Sequence, residues 1–157
     1  MLQAGSLPLM RSLCDRGFTV LLETSGALDV EPVDPRVCRI VDLKCPSSGE
    51  VAHNRWANLA LLGVGDEVKF VVATIEDYDW MRRTIQEHQL HRRCAVLVSW
   101  AGPLTAEQVD PSLNAAPGSE DRLSRRALAE RVVADGLPVR LQLQLHKFIW
   151  SPDQKGV

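Results

Sequence analysis

The stretch VCRIVDLKCPSSGE, residues 37–50, decides how the rest of the chain is interpreted. Its first eight residues are rich in Val, Ile, Leu and Cys and favour a strand, which the Pro-Ser-Ser-Gly sequence then ends abruptly. Apolar runs of the same kind recur at residues 18–23, 67–73 and 94–99. Such runs are typical of strands buried on both faces of a parallel sheet. The stretch therefore predicts a parallel strand with a polar loop at its carboxyl end.

Helical patterns separate these strands. Apolar residues at helical spacing predict helices at residues 7–16, 54–62, 76–90 and 122–135, and an alternating pattern predicts a fifth strand at 139–145. Residues 103–120, rich in Pro, Ala, Gly, Ser and Asp, predict a long surface loop. Strands that alternate with helices indicate an α/β fold on a mainly parallel sheet. Both an open doubly wound sheet and part of a barrel satisfy this pattern. A complete eight-stranded barrel does not, because only five strands are predicted.

The composition is that of an ordinary globular protein and excludes several function classes. The chain has 157 residues, 45% hydrophobic and 24% charged, which predicts a single domain over residues 1–157. A net charge of −2 gives no basic excess for nucleic acid, and no apolar run is long enough to span a membrane. The N-terminus shows no secretory signal. Four widely spaced cysteines then suggest reduced thiols in the cytoplasm.

Cys45 lies in the loop after the strand at 37–44. The residues of the chain, taken alone, leave three roles open for it. It could be a nucleophile paired with His53 or His146, a metal ligand, or a small packed side chain. The chain contains no CxxC pair, and its histidines lack the HxxxH or HxH spacing of metal sites. The spacing of the cysteines and histidines therefore gives no indication that Cys45 is a nucleophile or a metal ligand.

The carboxyl ends of the predicted strands are where ligands bind in parallel α/β folds. They contain residues 23–26 (ETSG), 44–50 (KCPSSGE), 73–77 (ATIED), 99–102 (SWAG) and 144–147 (QLHK). Three of the five are rich in hydroxyl groups, glycine or lysine, which suits a polar, nucleotide-like ligand across the strand ends. The same residues also make simple turns. Gln142, Gln144 and His146 form a polar strand face that predicts a lining of such a site.

Several of these segments, in this order, resemble one known family. They are LETSG (22–26), DLKCPSSGE (42–50), VKFVV (68–72) with DYDW (77–80), and PVRLQLQLHKFIW (138–150). They resemble the 7-carboxy-7-deazaguanine synthases, radical S-adenosylmethionine lyases of queuosine and deazapurine biosynthesis. The resemblance implies a partial (β/α) barrel, here N-terminally truncated. It also implies conversion of 6-carboxy-5,6,7,8-tetrahydropterin to 7-carboxy-7-deazaguanine.

The resemblance further implies a set of binding residues. It assigns substrate binding to Thr24 and, through the C-terminal carboxylate, to Val157. It assigns S-adenosylmethionine binding to residues near three strand ends: Gly26, Ser47, Ser48 and Ser99. The cofactors implied are S-adenosylmethionine, a 4Fe-4S cluster and magnesium. The partners implied are the pterin substrate, an electron donor such as flavodoxin, and a second copy in a homodimer. In this pattern Cys45 is a packed thiol.

One departure from the family pattern concerns the cluster. The family holds it with a CxxxCxxC-type motif and binds magnesium with a neighbouring threonine, and this chain has neither. No residue is therefore assigned a catalytic or metal-binding role. We expect the chain to correspond to the C-terminal portion of such an enzyme. The alternative is a truncated, non-catalytic chain that keeps the S-adenosylmethionine and substrate edge or needs a separate N-terminal part.

Overall fold

A computed structural model describes residue 3 and residues 5–103, 121–143 and 149–150. Five strands form one sheet: β1 Leu21–Thr24, β2 Cys38–Leu43, β3 Glu67–Val72, β4 Ala95–Trp100 and β5 Arg140–Gln142. The α-helices within the described residues are α1 Ser6–Asp15, α2 Ile75–Glu87 and α3 Arg125–Ala134. None of the described helices is long and apolar enough to cross a lipid bilayer.

The strands follow one another across the sheet in the order β1-β2-β3-β4-β5, and every neighbouring pair is parallel. The predicted α/β fold with a parallel sheet is therefore confirmed. A doubly wound sheet reverses its strand order at a switch point. The described strands show no such reversal, because each one pairs with the strand that follows it in the chain.

One face of the sheet carries the main core. Val41 pairs with Val68 and Phe70 with Val98 in register, and these four side chains are at most 1% exposed. Helices α2 and α3 pack on this face through a shared set of buried side chains: Tyr78, Met81, Ile85, Leu128 and Val132. A smaller cluster joins α1 to the loop after β1 through Met10, Val20, Val30, Val33 and Val37. The apolar residues of the strands and those of the helices thus pack against each other on one side of the sheet.

The connection between β2 and β3 differs from the predicted α-helix at 54–62. It contains three short 3-10 helices, at Pro46–Ser48, Val51–His53 and Trp56–Leu61. Asn54 accepts a hydrogen bond from the N–H of Lys44 and donates one to its carbonyl. Asn58 bonds the backbone of the loop after β1 in the same way. Asparagine side chains that bond backbone groups compete with regular helix, which explains the shorter turns.

Two further expectations need correction, and two others are not tested by the described residues. The strand predicted at 18–23 is shorter and not buried on both faces, since Phe18 and Leu21 are 61% and 60% exposed. The reason is that β1 lies at the edge of the described sheet. The apolar spacing of the helix predicted at 122–135 also predicts that Leu128, Val132 and Val133 face inward, but Val133 is 79% exposed because Leu128 and Val132 occupy the inner positions. Most of the predicted loop at 103–120, and the strand end at Gln144 and His146, lie outside the described residues.

An ion pair fixes the amino end of the sheet. Asp66 is 5% exposed and accepts two hydrogen bonds from the Arg39 guanidinium, at 3.1 and 2.8 Å, and others from the N–H groups of Arg39 and Gly63. Burial alone would raise the pKa of Asp66, but these donors outweigh it and hold the pKa below its ordinary value of 3.8. The carboxylate therefore favours the folded state when it is ionised.

Removing the Asn58 side chain should destabilise the fold. Asn58 is 1% exposed, and it bonds the carbonyls of Gly26 and Leu28 and the N–H of Val30. Asn58→Ala leaves these backbone groups without partners, so we expect a loss of about 2–4 kcal/mol in the free energy of unfolding. Urea denaturation measures it, with Gln86→Ala on the exposed side of α2 as the control. A loss no greater than that of the control would contradict this role.

Asp66→Asn should have an effect that depends on pH. A depressed folded-state pKa gives stability that is complete above the unfolded value, about 4, and is lost as pH falls through the folded value. We therefore expect a loss of about 1–3 kcal/mol at pH 7, from the buried charge-assisted hydrogen bonds, and a smaller loss at pH 3. Urea denaturation at both pH values, with exposed Glu87→Gln as control, checks this. An equal loss at both pH values would rule out the linkage.

Candidate functional site

The loop after β2 is held in place by one buried carboxylate. Asp77, 0% exposed, accepts hydrogen bonds from the Ser47 N–H at 2.8 Å and the Ser47 hydroxyl at 2.5 Å. It also accepts from the N–H groups of Ala73 and Thr74, at 2.8 and 3.1 Å. Thr74 in turn caps α2 by accepting from the Asp77 N–H. The loop after β2, the end of β3 and the start of α2 therefore meet at one side chain.

Ser47 and Ser48 both donate their hydroxyl hydrogens to acceptors of the protein. Ser47 donates to Asp77, and Ser48 donates to the Cys45 carbonyl at 2.6 Å and accepts from the Glu50 N–H at 3.1 Å. A ligand at this position would therefore meet hydroxyl oxygens that accept rather than donate. Gly49 has φ +72°, the left-handed conformation that lets the turn close behind them. In this structure both serine hydroxyls are therefore available to a ligand as hydrogen-bond acceptors.

Thr24 and Gly26 lie at the end of β1, beside a cavity of about 460 Å³. Thr24 accepts a hydrogen bond from the Gly26 N–H at 3.2 Å, which leaves its own hydroxyl hydrogen to donate. Gly26 is buried with φ +67°, and a Cβ there would lie 2.7 Å from Val41. Glycine is therefore required by backbone conformation and by the close approach of β2. The cavity is lined by Gln3, Ser6, Leu22, Glu23, Thr24, Ser25, Ala27 and Leu28.

Ser99 lies near the carboxyl end of β4, is 1% exposed, and pairs in register with Val71 and Gln142. The next residue, Trp100, is fixed: its indole N–H donates to the Leu123 carbonyl at 2.7 Å, and the Arg125 guanidinium lies 5.2 Å from its ring centre. Trp100 therefore supports the strand end by packing. Ser99 faces the side of the sheet opposite to Val98 and the helices.

That opposite side carries charged and polar residues on neighbouring strands. Asp42 on β2 pairs in register with Lys69 on β3. The Lys69 ammonium bonds the Glu23 carboxylate of β1 at 2.7 Å, and the Lys44 ammonium bonds Asp42 Oδ2 at 2.8 Å. Parallel sheets are normally apolar on both faces. We call this set, Glu23, Asp42, Lys44 and Lys69, the polar face; it marks a side of the sheet that is not part of the helix-packed core.

The cysteines do not assemble a metal site. Cys45 is 2% exposed and belongs to the core packed between sheet and helices, so its prediction as a packed thiol is confirmed. Burial, followed by the charges of Asp77 and Asp42, raises its pKa. Cys94, at the opposite end of the sheet, has a pKa raised to about 11, also mainly by burial. Within the described ranges no three His, Cys, Asp or Glu side chains are grouped to hold a metal ion.

Thr24, Gly26, Ser47, Ser48 and Ser99 all lie at the carboxyl ends of strands, on one edge of the sheet. Val157 lies outside the described residues.

Two features of the candidate site were not predicted from sequence. They are the hydrogen bonds between Asp77 and Ser47, and the polar face. The Thr74–Asp77 spacing is a capping signal, but it says nothing of Ser47, which lies thirty residues away. The start of β3 carried a signal for the polar face, since Glu67 and Lys69 alternate with Val68 and Phe70 before the pattern ends at Val71.

Comparison with known proteins finds several relatives of this chain, although no protein-family model matches it. A 7-carboxy-7-deazaguanine synthase of Chlorobaculum tepidum is 44% identical over 100% of this chain and 64% of the relative. Proteins of the same name from Koribacter versatilis and Methanospirillum hungatei are 39% and 31% identical, over 96% and 92% of this chain and 65% and 52% of the relatives.

The chain therefore spans between 52% and 65% of the length of these three relatives. The matches cover the segments at the ends of β1 and β2, because they include nearly the whole chain. The resemblance predicted from those segments is confirmed, and the chain is a homologue of the 7-carboxy-7-deazaguanine synthases.

Proposed function

We propose that this chain binds S-adenosylmethionine and 6-carboxy-5,6,7,8-tetrahydropterin at the carboxyl edge of its sheet. It would thereby serve the conversion of the pterin to 7-carboxy-7-deazaguanine in queuosine and deazapurine biosynthesis. The observation that carries the proposal is the 44% identity to a synthase of that name, combined with the polar groups of that edge. The same identity favours an enzyme over the alternative, a non-catalytic chain that keeps only the binding edge.

The proposed substrate site is the cavity beside β1. The Thr24 hydroxyl, held by the Gly26 N–H, is free to donate to a carbonyl or carboxylate oxygen of the pterin. The cavity volume of about 460 Å³ lies within the usual range for small-molecule sites. The Glu23 carboxylate, paired with Lys69 at 2.7 Å, gives one wall acceptor oxygens that suit ring N–H groups of a pterin. Binding by Val157 belongs to the same proposal.

The proposed S-adenosylmethionine site runs from Gly26 along the loop after β2 to Ser99. Hydroxyl oxygens of Ser47 and Ser48 that accept hydrogen bonds suit the ribose hydroxyls or amino groups of this cofactor. When it is bound and reductively cleaved, S-adenosylmethionine supplies a radical for hydrogen abstraction. This chain's contribution would be to hold the cofactor beside the substrate cavity, since Asp77 fixes the position of Ser47.

The other cofactors of the resemblance fit less well. A 4Fe-4S cluster needs three or more cysteine thiolates close together, and Cys45 and Cys94 are buried at opposite ends of the sheet. The described residues offer no grouped ligands for the cluster or for magnesium. We therefore assign no step of the reaction to either group. An electron donor such as flavodoxin and a homodimer belong to the proposal as partners.

The architecture that goes with this function is a partial (β/α) barrel formed by a single domain over residues 1–157. It is supported by the sequential parallel strand order, by helices on one face, and by a polar opposite face. In a barrel that opposite face lines the interior, where substrates enter from the carboxyl ends of the strands. All four cysteines are free, which suits the reducing cytoplasm.

Thr24→Val should weaken pterin binding. Removing a single hydrogen-bond donor costs about 1–1.5 kcal/mol, so we expect roughly tenfold weaker binding of 6-carboxypterin, a stable oxidised analogue, and little change for S-adenosylmethionine. Calorimetric titration of the purified chain with each ligand measures both affinities. The control is Thr19→Val, the same substitution at an exposed position before β1. Failure of the unaltered chain to bind either ligand would refute the proposed function.

Cys45 should react slowly with alkylating reagents. Burial removes access and raises its pKa, so little thiolate forms at neutral pH. We expect iodoacetamide to modify Cys45 and Cys94 about 10²-fold more slowly than the half-buried Cys14 and Cys38 under native conditions, because reaction requires local opening. Mass spectrometry of peptides over a time course gives the four rates. Modification of Cys45 at the rate of Cys14 would show an accessible thiol instead.

A further inference from the structure

The polar face contains an acceptor atom that the fold does not satisfy. Asp42 Oδ1 is buried and has no hydrogen-bond partner among the described residues. The other such atom is Nε of Arg82, whose guanidinium reaches solvent and approaches Asp79 and Asp135 through its terminal nitrogens. A buried acceptor without a partner costs about 1–3 kcal/mol. A donor that reached Asp42 Oδ1 would therefore stabilise this carboxylate.

The neighbouring lysines leave Oδ1 of Asp42 without a hydrogen bond. The Lys44 ammonium holds the other oxygen, Oδ2, at 2.8 Å. Lys69, the register partner of Asp42, is turned away toward Glu23 at 2.7 Å. Lys69 is placed beside Asp42 in the sheet, yet its ammonium group bonds the Glu23 carboxylate instead. Each lysine thus neutralises one carboxylate, and Asp42 Oδ1 is the acceptor of this set that is buried without a partner.

Asp42 is linked to the cavity beside β1 only through the polar face. Glu23 lines that cavity, and Lys69 connects Glu23 to the strand position beside Asp42. Neighbouring strands are about 4.8 Å apart, so one bicyclic ring can span from β1 to β2 on this face, although not from β1 to β3. A flat heterocycle that entered from the carboxyl edge could therefore reach Asp42 Oδ1 from the cavity.

We infer that Asp42 determines specificity by accepting a hydrogen bond from the exocyclic 2-amino group of the pterin. The inference rests on the proposed function and deepens it, since it assigns a role to a residue outside the predicted set. An N–H donor gains a charge-assisted bond with the carboxylate, which is stronger than a bond between neutral groups. A ligand with a carbonyl oxygen at the same place would set two acceptors against each other, and the site would reject it.

The test is a cycle that changes the protein and the ligand in turn. The unaltered chain and Asp42→Asn are each titrated with 6-carboxypterin and with 6-carboxylumazine, in which a carbonyl oxygen replaces the 2-amino group. We expect the unaltered chain to prefer the pterin at least tenfold. Asp42→Asn can turn its amide N–H₂ toward the lumazine carbonyl, so we expect its preference to fall to about twofold or less. The matched control is Asp79→Asn, an exposed carboxylate on α2.

The outcomes separate the inference from the proposed function. Pterin binding without preference over the lumazine in the unaltered chain would overturn the inference while the function stands, and this needs no variant. A preference that Asp42→Asn leaves unchanged would do the same and would point to water as the partner of Oδ1. A loss confined to S-adenosylmethionine binding would also overturn it. Binding of neither pterin nor lumazine by the unaltered chain would overturn both. Thermal unfolding of each variant confirms that the titrated protein is folded.

Discussion

The buried carboxylate of Asp77 is the contact on which the carboxyl edge of the sheet depends. It is fully enclosed, and it accepts four hydrogen bonds from the loop after β2 and from the end of β3. A buried carboxylate is stable only when its oxygens are satisfied, so its donors cannot move independently. Because the first turn of α2 supplies the carboxylate, the packing of this helix on the core also fixes the position of Ser47.

This coupling explains why a short polar loop can be part of a binding site. Pro-Ser-Ser-Gly turns are normally mobile surface features that adapt to their surroundings. Here both serine hydroxyls are donors to fixed acceptors, which leaves the loop one arrangement toward a ligand. Pre-organised groups lose less entropy when they bind, and the helix layer supplies that order. The core and the candidate site are therefore one structural unit.

The two faces of the sheet divide its tasks. One face is apolar and holds α2 and α3, and the other carries two ion pairs, one of which links β1 to β3. Charges on a sheet face are expensive unless they are paired, and Glu23 with Lys69, and Asp42 with Lys44, are paired. The pairing leaves a polar surface beside the cavity without breaking the core. A sheet of this kind can present charge to a small polar ligand at its carboxyl edge.

The sequence by itself determined the parallel α/β class and the four longest strands to within a few residues, through local signals, namely apolar runs and turn residues. Its resemblance to a known family supplied the candidate residues Thr24, Gly26, Ser47, Ser48 and Ser99, which stay predictions. Tertiary structure alone decided that Asn58 would replace a helix by hydrogen-bonding the loop after β1, and that Asp77 would hold Ser47 from thirty residues away. It also decided that Lys69 would pair with Glu23 rather than with its neighbour Asp42. Hydrogen bonds between distant residues depend on which strands lie side by side, and no local pattern encodes that arrangement.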